Sequence, residues 1–154
     1  MKSIQDEIKQ TRPFPTLEEE AAVSLARTAA VMNNAFSELV KPYGLTPTLY
    51  NVLRILRGAG EKGLCRFEVR DRLIAPEPDV TRLLDRLERA GHVTRERDQV
   101  NRRQVKARIT SSGLDLLDRL EEPLRAFHEQ HLGHVGKDRL SALIDALAAT
   151  RAGN

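Results

Sequence analysis

The sequence predicts a mainly α-helical protein with one small β-hairpin. Apolar residues recur three and four residues apart over most of the 154-residue chain, which is the spacing of one helix face. Between residues 92 and 109 the pattern changes to an alternation with a period of two, which is typical of strands. Aromatic residues make up 4% of the chain, so the predicted core is aliphatic and favours helices over sheet.

The predicted helices have recognisable end signals. Thr46 and Thr110 are N-cap residues, Gly91 suits the position after a helix, and Pro42 ends the first long helix. Pro123 is a candidate kink in the helix that follows Thr110. The helices are expected over residues 17–40, 46–59, 66–74, 78–90, 110 to at least 127, and 137–150.

Each predicted helix has an apolar face that is expected to be buried. For the helix at 66–74 this face is Val69 and Leu73. For the helix at 78–90 it is Val80, Leu83, Leu84 and Leu87. For the helix after Thr110 it is Leu114, Leu117, Leu120, Leu124 and Phe127.

Composition and motifs exclude several classes of protein. Residues 1–16 are polar and of mixed charge, so they predict an arm without a secretory signal, and residues 17–154 predict a single domain. No apolar run is long enough to span a bilayer, and the single cysteine, Cys65, excludes an internal disulfide. We therefore expect a cytoplasmic protein that does not bind membranes. The chain has no phosphate loop, nucleophile elbow or paired-carboxylate motif, so neither an enzyme nor a cofactor is expected.

Positive charge is concentrated between residues 80 and 110. This segment holds nine Arg or Lys and four Asp or Glu, whereas the rest of the chain holds 16 basic and 18 acidic residues. A basic segment on a mildly acidic body is typical of a protein that binds a polyanion. A solvated charged helix followed by a charged hairpin is the alternative that charge alone leaves open.

The order of elements narrows this choice. Three short helices followed by a basic hairpin predict a winged helix-turn-helix over residues 45–110. In such a unit the helix at 78–90 lies in the major groove of double-stranded DNA, held to the domain by its apolar face. The hairpin then reaches an adjacent minor groove or the flanking backbone, where arginine is favoured.

Four segments resemble the MarR family of transcription regulators. The segment LTPTLYNVL (45–53) resembles the start of that family's second helix, and DVTRLLDRLERAG (79–91) resembles its recognition helix. The segments NRR (101–103) and ITSSG (109–113) are similar to its wing and to the start of its dimer helix. The resemblance covers nearly the whole chain from residue 17 onward.

This resemblance implies a MarR-like homodimer with residues 17–44 and 111–154 as dimerisation helices. It implies a sequence-specific DNA-binding transcription regulator, a repressor that binds a pseudo-palindromic operator and responds to a small hydrophobic or aromatic effector. Two alternatives stay open: a redox-responsive regulator acting through Cys65, and a DNA binder that needs no effector.

The resemblance also implies which residues contact DNA. These are Pro78, Asp79, Thr81, Arg82 and Arg86 from the recognition helix, and Arg97, Arg102 and Arg103 from the wing. Arg82 is expected to pair with guanine or to contact phosphate, and Arg103 is expected to enter the minor groove. Arg97 and Arg102 are expected to contact phosphates.

Three acidic or amide residues complicate this interface. Asn101 stands where the family has an Asp that pairs with the wing arginine, so we expect a less preorganised wing. Asp79 and Asp85 lie among residues expected to face DNA. They are interpreted as groups that orient Arg82, Arg86 or Arg89, or that accept from a cytosine amino group.

Other candidate sites have two interpretations each. Met32, Phe36 and Tyr50 are either core residues or the lining of an effector cavity. Cys65 precedes the helix at 66–74 and is either a redox thiol or a small buried residue at its cap. The residues His128, His131 and His134 recur every third position, which spreads them around a helix, so no metal site is expected.

Overall fold

The computed structural model describes residues 2–98 and 101–153. Within these ranges the helices are α1 (Ile4–Glu7), α2 (Leu17–Val40), α3 (Pro47–Ala59), α4 (Arg66–Arg70), α5 (Val80–Arg89), α6 (Ser111–Leu132) and α7 (Lys137–Ala152). The strands are β1 (Leu64–Cys65), β2 (Val93–Arg97) and β3 (Val105–Ile109). The prediction of a mainly α protein with a small hairpin is confirmed. The chain divides into two units, residues 1–39 and 40–154.

The first unit contains α1 and nearly all of α2. Inside the predicted arm, α1 is capped by Ser3, whose Oγ accepts from the backbone N–H of Asp6 at 3.2 Å. Glu7 lies 4.0 Å from the Nε of Arg27 on α2. The predicted bounds of α2 are confirmed, but its apolar residues before Val40 are only half-buried or exposed in a single chain.

The core of the second unit is built on α3. Thr46 caps this helix as predicted, because its Oγ1 accepts from the N–H of Leu49 at 3.3 Å. One face of α3 is fully buried, and it consists of Leu49, Val52, Leu53 and Leu56. This face packs against β3, α4, α5 and α6.

The helix α4 is shorter than predicted. It ends at Arg70, so the expected extension to residue 74 is wrong. Beyond Arg70 the backbone closes into tight turns, in which Leu73 donates to the carbonyl of Arg70 at 3.2 Å. Asn51 then accepts from the N–H of Ile74 at 2.9 Å and holds the chain as a loop. Val69 is buried as expected, whereas Leu73 is only half-buried.

The helix α5, which the resemblance identifies as a recognition helix, begins at Val80, and Asp79 is its N-cap. The predicted start at Pro78 is therefore two residues too early. Gly91 follows the helix at a φ of 80°, which confirms its predicted place because glycine adopts positive φ without strain. Val80, Leu84 and Leu87 are buried, and Leu83 is half-buried.

The predicted hairpin is part of a three-stranded antiparallel sheet. Its strand order is β1-β3-β2, with Arg95 opposite Ala107 in the hairpin and Leu64 opposite Ala107 on the other edge. The two-residue strand β1 was not expected from the sequence. The sequence places a polar link between the hairpin strands at residues 98–103, and residues 99 and 100 of it lie outside the described residues.

The long helix α6 starts as predicted at the Thr110 cap. Thr110 Oγ1 accepts from the N–H of Gly113 at 3.1 Å and donates to the carbonyl of Gly91 at 2.7 Å. The helix continues through Pro123. Leu114 was predicted to be buried but is exposed, and Leu116 is buried instead. The other predicted members of the stripe, Leu117, Leu120, Leu124 and Phe127, are buried.

The last helix, α7, has only half-buried or exposed apolar side chains, among them Leu143 and Ile144. Over the described ranges, no helix combines the length and the apolarity that crossing a bilayer requires.

The start of α6 is pressed closely against the turn before the hairpin. A Cβ atom on Gly113 would lie 2.5 Å from the carbonyl oxygen of His92 and 2.6 Å from the Cγ1 of Ile109. The first contact is with backbone, which cannot move aside easily. Only glycine therefore permits α6 to begin at this distance from the sheet.

We predict that Gly113→Ala destabilises the protein by about 1–3 kcal/mol, because the added methyl group overpacks this contact. Gly58→Ala is the matched control, since Gly58 lies in α3 with no atom within 4 Å of its would-be Cβ. That control is expected to stabilise by about 0.5–1 kcal/mol through helix propensity. Equilibrium urea unfolding measures both changes, and equal stabilisation by the two substitutions would contradict the packing argument.

Candidate nucleic-acid interface

The polar face of α5 and the outer residues of the hairpin form one group of exposed side chains. The helices α4 and α5 pack against each other in the order expected for a helix-turn-helix. All eight residues predicted to contact DNA are exposed, and they are Pro78, Asp79, Thr81, Arg82, Arg86, Arg97, Arg102 and Arg103. None of them is buried in the core, and their contact with DNA stays a prediction.

The carboxylate of Asp79 is occupied by the backbone. Its Oδ1 accepts from the N–H of Arg82 at 3.0 Å, which caps the N-terminus of α5. An anionic cap at this position is favoured by the helix dipole. Asp79 therefore positions α5 itself, and the interpretation that it orients the Arg82 side chain is not needed.

Asp85 also has a different partner from those expected. Its Oδ1 lies 2.6 Å from an Nη atom of Arg95, which is on β2. Arg95 donates from Nε and from Nη2 to Glu88 Oε2, at 2.9 and 2.6 Å, and its backbone N–H donates to Glu88 Oε1 at 3.1 Å. The interpretation that the Asp85 carboxylate orients Arg82 or Arg86 is therefore wrong. Arg89 donates from Nε to the backbone carbonyl of Asp85 at 3.3 Å, so it does not need that carboxylate either.

These contacts shift the titration of the groups that make them. The hydrogen bond from Arg95 is the main cause that holds the pKa of Glu88 below its ordinary value. The reciprocal hydrogen bond to Glu88 raises the pKa of Arg95. Both groups are thus held in their charged forms, and Arg95 links the wing to the recognition helix through ionic hydrogen bonds.

The base of the wing tip is organised by Asp98. This carboxylate is buried, pairs with the Nζ of Lys106 on β3, and accepts from the N–H of Asn101 at 3.1 Å. Asn101 in turn accepts on Oδ1 from the backbone N–H of Arg103 at 3.3 Å. Asn101 thus shapes the turn through the backbone of Arg103, and the acid that organises the wing is Asp98.

Arg108 is likewise used inside the domain. Its Nε donates to the carbonyl of Glu61 at 2.6 Å, and its Nη1 lies 3.1 Å from Glu96 Oε2. The four acids of the basic segment are therefore all paired with Arg95, Lys106 or Arg108. Six arginines of the segment form no ion pair with any described residue, and they are Arg82, Arg86, Arg89, Arg97, Arg102 and Arg103.

A cleft of about 430 Å³ separates the first half of α5 from the outer part of the wing. Thr81 and Leu84 line it from α5, and Arg103 and Val105 line it from the wing. Phe67 on α4 closes another side, 49% exposed, with the guanidinium of Arg66 4.3 Å from its ring centre. Sequence reasoning missed Arg66 and Phe67. The available signal was an aromatic residue, Phe67, next to Arg66 and three residues before Arg70 in one short helix.

The residues suggested for an effector cavity are divided between the two units. Met32 and Phe36 are half-buried, one turn apart, on α2 in the first unit. Tyr50 is half-buried on α3 in the second unit, with Arg54 5.9 Å from its ring centre. A cavity lined by all three stays a prediction.

Cys65 occupies the N-cap of α4, as expected. Its backbone N–H donates to Glu68 Oε2 at 2.9 Å, and this bond, followed by one from the Cys65 side chain, lowers the pKa of Glu68. The half-buried residue therefore has a structural role, and redox sensing stays an untested prediction.

Among the histidines considered for metal binding, His131 places Nδ1 2.9 Å from the Phe127 carbonyl and its ring 4.2 Å from the Phe127 ring. In the parts of the chain that the structure describes, no group of three His, Cys, Asp or Glu side chains is arranged to hold a metal ion.

Comparisons with known proteins agree on one family. A family model described as the MarR family matches residues 43–104. A MarR transcription factor from Planctomyces limnophilus has a solved structure with 40% identity and a TM-score of 0.69. The similarity covers 89% of this chain and 99% of that one. The uncharacterised HTH-type transcriptional regulator YkoM of Bacillus subtilis (strain 168) is 34% identical over 111 residues, which is 70% of this chain and 71% of that regulator.

The repressor CouR is a further structural neighbour. Its complex with a 23-mer DNA duplex shares 27% identity at a TM-score of 0.78, over 92% of this chain and 99% of that one. CouR from Rhodococcus jostii RHA1 bound to p-coumaroyl-CoA shares 23% identity at a TM-score of 0.76, over 89% and 95% of the two chains.

Proposed function

Because the chain belongs to the MarR family of transcription regulators, we propose that this DNA-binding regulator is a repressor that binds a pseudo-palindromic operator as a homodimer. The family's transcription factors are not enzymes, in agreement with the absence of catalytic motifs from the sequence. The proposed place of action is operator DNA in the cytoplasm. The proposed architecture assigns residues 45–110 to DNA binding and residues 17–44 and 111–154 to dimerisation.

The observation that carries the proposal is the separation of paired from unpaired cations. Arg95, Lys106 and Arg108 neutralise the acids of the basic segment within the domain. The six arginines of the segment without an ion pair to a described residue are exposed on α5 and on the wing, and phosphates attract such groups without first breaking an internal ion pair. A surface charged only for solubility would not require this division.

Within this surface the proposed roles differ between helix and wing. Arg82 lies in the first turn of α5, where a side chain that enters the major groove meets base edges. Its guanidinium can then pair with guanine through two hydrogen bonds. Arg103 is proposed to enter a narrow minor groove, which attracts arginine, and Arg97 and Arg102 are proposed to contact phosphates.

We expect Arg82→Ala to weaken operator binding by about 1–3 kcal/mol and to relax the preference at one base pair per half-site. Arg103→Ala is expected to weaken binding by a similar amount and to reduce the dependence of affinity on salt. Selection of duplexes from a random pool defines the operator, and titrations of labelled operator at several salt concentrations give the affinities.

Arg125→Ala is the matched control for these two variants. Arg125 is exposed on α6 and paired with Glu122 at 2.6 Å, outside the proposed interface. Its removal is expected to change operator affinity by less than about 0.5 kcal/mol. Operator affinity that stays at the wild-type level in both Arg82→Ala and Arg103→Ala would refute the proposed interface.

The homodimer is proposed from apolar side chains that a single chain leaves exposed. Leu143 is 44% and Ile144 is 64% exposed on α7, where a monomer would place polar residues. Leu25 and Val31 are similarly exposed on α2. Exposed apolar stripes on long terminal helices are typical of interfaces between identical subunits.

Ile144→Asp is therefore expected to convert the dimer into a monomer at micromolar concentration, because the carboxylate would be buried without a partner. Ala142→Asp is the control, since it adds the same charge to an exposed position of α7 away from the apolar stripe. Sedimentation equilibrium reports the masses of both variants and of the wild type. A wild-type protein that sediments as a monomer would disprove the proposed assembly.

An effector that releases the operator is a further part of the proposal. CouR, a repressor of the same fold, binds p-coumaroyl-CoA, which carries an aromatic acyl group. The half-buried apolar side chains of Met32 and Phe36 are suitable partners for such a group. Oxidation of the free thiol of Cys65 stays the alternative, and a Cys65→Ser variant with unchanged response to peroxide would remove it.

We predict that at least one aromatic acid, phenol or aromatic acyl thioester raises the melting temperature and releases the operator. At one hundred times its Kd a ligand stabilises a protein by about 2.7 kcal/mol. Phe36→Ala should reduce that shift, whereas Phe67→Ala, an equal truncation at an exposed site on α4, should preserve it. If no compound of these classes shifts the melting temperature, the effector-independent alternative is favoured.

A further inference from the structure

Arg95 differs from the other arginines of the basic segment because its side chain pairs with two carboxylates. Its side chain is only 25% exposed and contacts two acids of α5 at once. Both Nε and Nη2 donate to Glu88, Nη2 also reaches Asp85, and the backbone N–H completes the set. A guanidinium held by ionic hydrogen bonds from two directions has a fixed orientation.

Arg95 lies midway along β2, between the buried base of the wing and its exposed outer part. Two residues earlier, Val93 is buried in the core, and two residues later Arg97 is exposed. Arg95 itself lines the cleft that separates the first half of α5 from the outer wing. Across that cleft there is open space, so apolar packing does not fix the distance between Thr81 on the helix and Arg103 on the wing.

The other edge of the hairpin, strand β3, is held by backbone hydrogen bonds and, within the described part of the chain, not by an ion pair to α5. β3 pairs with β1 through backbone hydrogen bonds, with Leu64 opposite Ala107 and Cys65 opposite Lys106. This pairing attaches the hairpin to the domain through the backbone of β1, and its register involves no residue of α5. The strand β2 packs against α5, and among the ion pairs of the described residues Arg95 is the one that joins the wing to this helix.

We propose that Arg95 is a positioning residue that, through Asp85 and Glu88, sets the angle between the recognition helix and the wing and thereby determines operator discrimination. The inference rests on the proposed function, since it concerns how one domain engages major and minor grooves together. A rigid angle admits only duplexes whose grooves match it. A loosened wing still attracts phosphate, so non-specific binding is retained.

The double variant R95Q/D85N tests this role without a change in net charge. It removes one cation and one anion, so the electrostatic attraction to DNA is conserved while the clamp is lost. We expect its affinity for a scrambled duplex, and the dependence of that affinity on salt, to match the wild type. Its affinity for the selected operator is expected to fall about tenfold.

R97Q is the matched control on the same strand. Arg97 lies on the same side of β2 as Arg95 but is exposed and proposed to contact phosphate. R97Q should weaken binding to operator and scrambled duplex alike and lower the salt slope by about 1. R95K keeps the charge but lacks the fork of donors, and it should lose part of the discrimination with an unchanged salt slope.

Three results would overturn the inference. One is an R95Q/D85N variant that discriminates as well as the wild type. A second is an equal loss on both duplexes, which would make Arg95 an ordinary DNA contact. A third is full discrimination by E88Q, which lacks the anionic acceptor and serves if the double variant proves unfolded by circular dichroism. A wild-type protein without preference for the operator would instead refute the proposed function itself.

Discussion

Burial of one face of α3 is the constraint on which the proposed DNA-binding elements, α5 and the wing, depend. Its four aliphatic side chains are inaccessible to solvent, and the helix contacts β3, α4, α5 and α6. At about 1.5–3 kcal/mol per buried aliphatic side chain, this face contributes several kcal/mol. The recognition helix and the wing are therefore not two independent appendages, because both rest on the same buried surface.

The core alone does not place the wing relative to the recognition helix. Most side chains on the proposed DNA-binding surface are charged and exposed, so apolar packing contributes little to their order. Internal ion pairs and hydrogen bonds fix the wing instead. Arg95 joins β2 to α5, Lys106 fixes the tip through Asp98, and Arg108 joins β3 to the backbone at Glu61. Each of these cations also neutralises an acid that would repel phosphate.

The parts of the fold that were predictable are those that depend on local chemistry. The bounds of α2 and α3 follow from periodicity, and the caps at Thr46, Thr110 and Gly91 follow from the preferences of single residues for backbone positions. The polar face of α5 with Arg82, Arg86 and Arg89 follows from the same periodicity, whereas the roles of the wing arginines were implied by the family resemblance. Such features need no knowledge of what lies across the domain.

The features that were missed depend on distant partners. A two-residue strand such as β1 exists only because β3 lies beside it. The loop after α4 is held by Asn51, more than twenty residues away, and the burial of Leu116 instead of Leu114 depends on the elements that pack against α6. The partners of Asp85 and Asp98 lie on other elements, so their pairing leaves no periodic pattern in the sequence.

The division of cations into paired and unpaired groups therefore could not be obtained by counting charge. The excess of positive charge between residues 80 and 110 is the same whichever arginines are paired. What matters for recognition is that the paired cations fix the geometry and the unpaired ones face outward. In the proposed homodimer the two-fold axis repeats this geometry in both half-sites. A substitution that changes the angle between wing and recognition helix is present in both protomers. An operator of fixed half-site spacing therefore meets the altered angle at each of its two half-sites.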